Sequence, residues 1–173
     1  MYKFTYSKDI VIDFLELFQY NDFDCESINK EWLLVEDAYM NIGFIAHNSK
    51  KNLIENFCLA YKYILAKHEL YATEMTGRHI EDATNLKVHK FLSGSVGGEQ
   101  QFIDMIERNY LDLVIFFYNP IINSPNEANI FSITRVCDRY NIPIATNMAT
   151  AESMVLGLAA GDLDWREGMH PGY

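Results

Sequence analysis

The run Leu113-Val114-Ile115-Phe116-Phe117 carries an apolar side chain at every position. Successive residues of a strand point to opposite faces, so this segment reads as a strand covered on both sides, as in a parallel sheet. Four further short, largely apolar runs follow the same rhythm: Ile42-Gly43-Phe44-Ile45-Ala46, Leu70-Tyr71-Ala72, Val88 to Leu92 and Ile142 to Thr146. Helical spacing fills the gaps between them. Leu53, Ile54, Phe57, Tyr61, Ile64 and Leu65 mark one face of a helix over 50–67, and a short helix is predicted near 79–84. Others follow up to Arg108, over 126–140 and over 149–159. Strands alternating with helices predict an α/β, three-layer doubly wound domain with a five-stranded parallel sheet.

Residues 1–40 read differently. Ile10, Val11, Phe14, Leu15 and Phe18 recur at helical spacing, then comes an Asp- and Asn-rich stretch and a second short pattern near Trp32, Leu33 and Leu34. The expected organisation is an N-terminal helical extension over 1–40, the α/β domain over 41–160 and a C-terminal tail over 161–173. A chain of 173 residues supplies one core rather than two. The net charge of −10 argues against nucleic acid and against an anionic membrane. No apolar run approaches the ~18 residues of a membrane span, and Met1-Tyr2-Lys3-Phe4-Thr5-Tyr6 lacks the features of a signal peptide. Cys25, Cys58 and Cys137 are scattered, with no CxxC pair, and read as reduced thiols of a cytoplasmic protein.

Ligands of such sheets sit beyond the carboxyl ends of the strands. Those ends carry His47-Asn48-Ser49-Lys50-Lys51, Thr73 with Thr76-Gly77, Ser93-Gly94, Asn119 and Asn147. Hydroxyls, amides, glycines and lysines converging on one rim describe a pocket for a small anion. Ser93-Gly94 and Gly97-Gly98 stand between a strand and a helix start, where glycine lets the backbone approach a ligand and helix N–H groups face its charge. The segment matches neither the Walker pattern nor G-x-G-x-x-G, and glycines at such turns also serve packing. Glu99 follows at once. It is either a partner of the helix dipole or a general base aimed at the ligand. His47 ends a buried strand at the same rim. No histidines and carboxylates stand at metal-ligand spacing, so no metal is expected.

Ile45-Ala46-His47, Tyr71-Ala72-Thr73, Thr76-Gly77, Leu92-Ser93-Gly94 with Gly97-Gly98-Glu99-Gln100-Gln101, Ile115-Phe116-Phe117 and Asn141-Ile142-Pro143-Ile144-Ala145-Thr146-Asn147-Met148-Ala149-Thr150 together resemble methylglyoxal synthase, in that family's order and over roughly residues 41–152. The resemblance implies a cofactor-free lyase, in a homohexamer, that converts dihydroxyacetone phosphate to methylglyoxal and inorganic phosphate. A carboxylate removes a C3 proton, and the resulting enediolate phosphate expels phosphate. Lys51, Thr73, Thr76, Ser93 and Gly94 match the family's phosphate-holding set, whereas Met75 stands where the family has another threonine. The catalytic aspartate falls on Glu99 and the histidine of the Pro-His-Asp-Pro-Asp loop on Asn126. Three more family aspartates fall on Asn48, Asn119 and Asn129, which with Gly98 complete the expected pocket. A C-terminal arginine of the family has Arg166 as its nearest candidate.

Asparagine polarises a carbonyl by donating a hydrogen bond but does not shuttle a proton at neutral pH. Two functions therefore stay open. One is a divergent carbon–oxygen lyase in which Glu99 is the base and Asn126 with His47 polarises or protonates the substrate. The other is a sensor of small phosphorylated metabolites without turnover. A third, an oligomeric scaffold with a vestigial pocket, makes no use of the rim.

Overall fold

The computed structural model describes residues 39–93, 96–121 and 128–170. The extension expected over 1–40, with Cys25, lies outside the described residues apart from Tyr39 and Met40, as do Gly94 and Asn126. Five parallel strands, β1 (Asn41–Ala46), β2 (Glu69–Ala72), β3 (His89–Lys90), β4 (Leu113–Phe117) and β5 (Ile144–Ala145), line up in the order β3-β2-β1-β4-β5. The helices are α1 (Lys51–Ala60), α2 (Lys62–Leu65), α3 (Glu74–Thr84), α4 (Gly98–Glu107), α5 (Ile130–Tyr140) and α6 (Met148–Ala159). Single 3₁₀ segments span Asn48–Lys50 and Asp164–Met169. None of the described helices is long and apolar enough to cross a membrane.

Strand alternation divides the apolar runs between two cores. Ile42, Phe44 and Ala46 of β1 and Leu113, Ile115 and Phe117 of β4 face α1, α2, α3 and α6. Ile45 of β1 and Val114 and Phe116 of β4 face α4 and α5. This is the three-layer doubly wound sheet expected from the unbroken apolar runs. Gly43 opens a gap in the second face. A Cβ there would lie 2.4 Å from Cζ of Phe102, the α4 residue that fills the space over β1.

Several boundaries differ from expectation. The helix expected near 79–84 begins at Glu74, because its inward positions are Thr76, Gly77, Ile80 and Thr84, only one of them strongly apolar. The threonines face inward to bond rather than to pack, so hydrophobic periodicity does not show the first turns. The helix expected over 50–67 breaks at Tyr61 (φ −103°, ψ 18°), and a short second turn brings Leu65 into the core. β5 is short because Pro143 has no N–H to give. Its carbonyl instead accepts from Val114 N at 3.0 Å, and pairing starts there.

Candidate active site

β1 and β2 deliver Ala46, His47 and Thr73 to the carboxyl edge of the sheet, and the helices that follow return Lys51 and Thr76 to the same point. Lys51 is only 8% exposed and Thr76 not at all. Lys51 Nζ donates to Ala46 O and to Thr76 Oγ1, both at 2.6 Å. Thr76 Oγ1 also accepts from Ala46 N at 3.3 Å and lies 3.0 Å from Thr73 Oγ1. A hydroxyl has two acceptor positions and one proton. Lys51 and Ala46 N occupy the acceptor positions of Thr76, so its proton goes to Thr73 Oγ1. The hydroxyl proton of Thr73 is thereby left to donate outward. Thr73 occupies the N-cap position of α3 and its side chain makes no capping bond, while Glu74 N at the start of that helix donates to Leu92 O at 3.5 Å. An ammonium, a donating hydroxyl and a helix N-terminus suit an anion.

The glycine segment brings the carboxylate. Gly97 has φ 102°, and a Cβ on Gly98 would lie 1.9 Å from Leu92 O. Only glycine permits the chain to fold back that closely, and Gly98 N bonds Ser93 O at 2.9 Å to close the turn. Helix α4 thus starts against the end of β3, with Glu99 in its first turn. Glu99 does not simply cap its own helix. Its Oε2 accepts from Asn129 N, ahead of α5, at 3.1 Å. The preceding carbonyl, Ala128 O, lies 2.9 Å from His47 Nε2, and His47 Nδ1 accepts from Asn119 N at 3.1 Å. These contacts tie the ends of β1, β3 and β4 into one hydrogen-bonded chain with the carboxylate at its end.

Among the expected site residues, His47, Lys51, Thr73 and Thr76 are buried at this edge, and Ser93, Gly98, Glu99, Asn119 and Asn129 adjoin them. Asn48 is solvent-exposed in the 3₁₀ turn after β1. Side chains of Asn119 and Asn129 bond locally: Asn119 Oδ1 accepts from Ile121 N at 3.0 Å, and Asn129 Oδ1 caps α5 through Phe131 N at 2.9 Å. Arg166 is a correction. It lies at the amino edge of the sheet, where its guanidinium donates to Asn141 O, Asn109 Oδ1 and Leu111 O, so it cannot share an anion with Lys51. Chemistry at the two described thiols is equally remote, since burial raises the pKa of Cys58 far above the usual thiol range and that of Cys137 to about 12.

Two features were missed from sequence. A cleft of about 240 Å³ adjoins the site at the ends of β4 and β5, between Lys50, Leu53, Phe117, Tyr118, Thr146 and Asn147. Neither Glu99 nor Thr73 nor Thr76 lines it, so it is distinct from the buried cluster around Lys51. The Lys50 and Asn147 of the rim line this cleft instead. The second feature is the cluster around Arg166. Asp112, fully buried, accepts from Asn41 N at 2.8 Å and from His170 Nε2 at 2.9 Å, and its Oδ1 lies 3.4 Å from Arg166 Nε. Asp112 lies 58 residues from His170, so no local spacing reveals the cluster.

A sheet of this order with a glycine-turned carboxylate beside a buried lysine and two threonines defines an MGS-like domain, and the family model of that description matches residues 55–146. Methylglyoxal synthase of Caldicellulosiruptor saccharolyticus is 51% identical over 132 residues, covering 76% of this chain and 94% of that protein. Its counterpart in Listeria welshimeri is 49% identical over 128 residues, covering 74% and 96%. The crystal structure of methylglyoxal synthase from Elizabethkingia anophelis superposes with a TM-score of 0.66 at 33% identity, covering 68% of this chain and 77% of that one. The chain belongs to the methylglyoxal synthase family.

Proposed function

We propose that the chain binds dihydroxyacetone phosphate and eliminates phosphate from it to give methylglyoxal, more slowly than a site with aspartate at the base position and histidine opposite. One observation carries the reading: Lys51 Nζ and the paired hydroxyls of Thr76 and Thr73 lie at the carboxyl edge of the sheet, the edge at which Asn129 N holds the carboxylate of Glu99. The phosphate would rest on Lys51, Thr73, Thr76, Ser93 and Gly94. Glu99 would take the C3 proton, and the electron pair left on carbon would form the enediolate. Collapse of the enediolate breaks the carbon–oxygen bond to phosphate, which leaves with that bond's electrons, and the resulting enol becomes methylglyoxal by losing its hydroxyl proton and taking up a proton from water at the carbon that carried phosphate. Asn126 would donate a hydrogen bond to the substrate carbonyl without moving a proton. Glutamate adds one methylene to the base, and a misplacement of about 1 Å costs about 10²-fold in rate.

Purified protein given dihydroxyacetone phosphate is expected to release phosphate at a measurable rate that falls at least about 10²-fold in Glu99→Gln. Equal rates for the two proteins contradict the reading. Asparagines at 119 and 129, where the family has aspartates, favour a second reading, a phospho-anion sensor. Its signature is a ligand-dependent rise in melting temperature with no phosphate release. In either case the assembly is proposed to be a homo-oligomer in the cytoplasm. Exposed Met75, Leu92, Val96 and Phe131 near the site suit contact between copies, and the free thiols of Cys58 and Cys137 suit a reducing compartment.

A further inference from the structure

We propose that His47 is the positioning residue for Glu99, acting through the single peptide unit that joins Ala128 to Asn129. The inference rests on the reading of Glu99 as the base. It departs from the expectation that His47 itself polarises or protonates the substrate.

The carbonyl of Ala128 and the N–H of Asn129 belong to one planar group, and none of the described peptide bonds is cis. In a trans peptide the C=O and N–H bonds point in opposite directions and their dipoles add. His47 Nε2 grips the oxygen at 2.9 Å, and the hydrogen on the other side meets Glu99 Oε2, with N···O 3.1 Å. Asn119 N donates to His47 Nδ1, so that nitrogen carries no proton. The ring proton therefore sits on Nε2 and is donated to Ala128 O. Each bond polarises the next in the same sense: imidazole N–H to carbonyl, amide N–H to carboxylate.

The ring itself has little freedom. It is 7% exposed and packs edge-on against Phe116 and Tyr118, with centroids 5.3 and 6.3 Å away. Its backbone N–H is tied to Phe117 O at 3.0 Å, which anchors it to β4. From the far side, the Asn129 side chain caps α5 and fixes the same peptide. Glu99 is thus referenced to the centre of the sheet as well as to its own helix. That restrains the additional side-chain rotation a glutamate has over an aspartate. Both ring nitrogens bond to backbone groups, so a proton donated to substrate would first have to be withdrawn from Ala128 O.

Two substitutions separate the arms of the ring. The amide of His47→Gln reaches where Nε2 was and keeps the bond to Ala128 O. The oxygen of His47→Asn replaces Nδ1 and keeps the bond from Asn119 N, but loses Ala128. Phosphate release from dihydroxyacetone phosphate is expected to keep kcat within about fivefold in His47→Gln and to lose about 10- to 10²-fold in kcat, with KM nearly unchanged, in His47→Asn. Neither variant should lose a limb of the pH–rate profile. Equal large losses in both, with a limb gone, would make His47 a proton carrier and overturn the inference, as would no loss in either. The amide resonance of Asn129 provides a readout independent of turnover. It should move in Glu99→Gln and in His47→Asn and hold in His47→Gln. If the wild-type protein releases no phosphate, the lyase reading fails, and the Asn129 amide still decides whether His47 holds the carboxylate.

Discussion

Each edge of the sheet carries a cluster of buried polar side chains, and the two clusters serve different ends. At the carboxyl edge Lys51 donates to a carbonyl and a hydroxyl, Thr73 keeps a proton to give, and Glu99 is held by one backbone amide. At the amino edge Arg166 spends its terminal nitrogens on three oxygens of the fold, and its Nε lies 3.4 Å from the carboxylate of Asp112 without forming a hydrogen bond among the described residues. Burial lowers the pKa of the Arg166 guanidinium, and the Asp112 carboxylate offsets part of that shift. His170 completes the cluster and secures the 3₁₀ segment Asp164–Met169 to β4. Polar burial at one edge is the proposed ligand site, and at the other it holds the chain's last described turn in place.

Substitutions should divide along that line. Asp112→Asn leaves a buried cation facing a neutral amide, and is expected to cost about 3–5 kcal/mol of stability by urea unfolding while the folded fraction binds phosphate as before. Lys51→Met should do the converse. Loss of a charge-assisted contact, worth about 1.5–3 kcal/mol, should abolish the rise in melting temperature that phosphate produces. If both variants lost stability and binding alike, the two edges would not be separable.

The middle of the sheet offers a control that touches neither cluster. Gly43→Ala places a methyl 2.4 Å from Phe102 Cζ, and the resulting overpacking should cost about 1–3 kcal/mol with binding retained. The smallest effect concerns the thiols. Burial raises the Cys137 pKa to about 12, against about 8.5 in an unfolded chain. The raised value means the folded state holds its proton. The associated stability is therefore complete below about pH 8.5 and is lost as pH climbs toward 12. Modification of the two buried thiols by a thiol reagent at pH 8 should track global unfolding. Rapid labelling of native protein would show that the core around α5 opens locally.

The two edges also differed in how far they could be read from sequence. β4 announced itself because every residue is apolar and β1 because an apolar run follows Asn41, and the rim was legible because each of its residues lies within a few positions of a strand end. Glu99 was placed next to the glycines, but its tie to Asn129 spans 30 residues and emerged only when α4 and α5 packed together. His47 was assigned to the rim correctly, while the direction of its ring nitrogens depends on Asn119 and Ala128, more than 70 positions away. The amino-edge cluster was missed altogether. Asp112, Arg166 and His170 share no motif, and Arg166 reads as a candidate for the family's C-terminal arginine until Asp112 is seen beneath it. Helix α3 was cut short for a related reason, since threonines that turn inward to bond leave no hydrophobic stripe.

A crystal of Glu99→Gln soaked with dihydroxyacetone phosphate tests the assignment of the carboxyl edge most directly, because the glutamine keeps the shape of the base and spares the substrate. The phosphate is expected against Lys51, Thr73, Thr76 and Ser93, with the C3 carbon within about 3.5 Å of the residue 99 side chain. A phosphate seated in the cleft beside Lys50, or a side chain at 99 turned away from every substrate carbon, would contradict it.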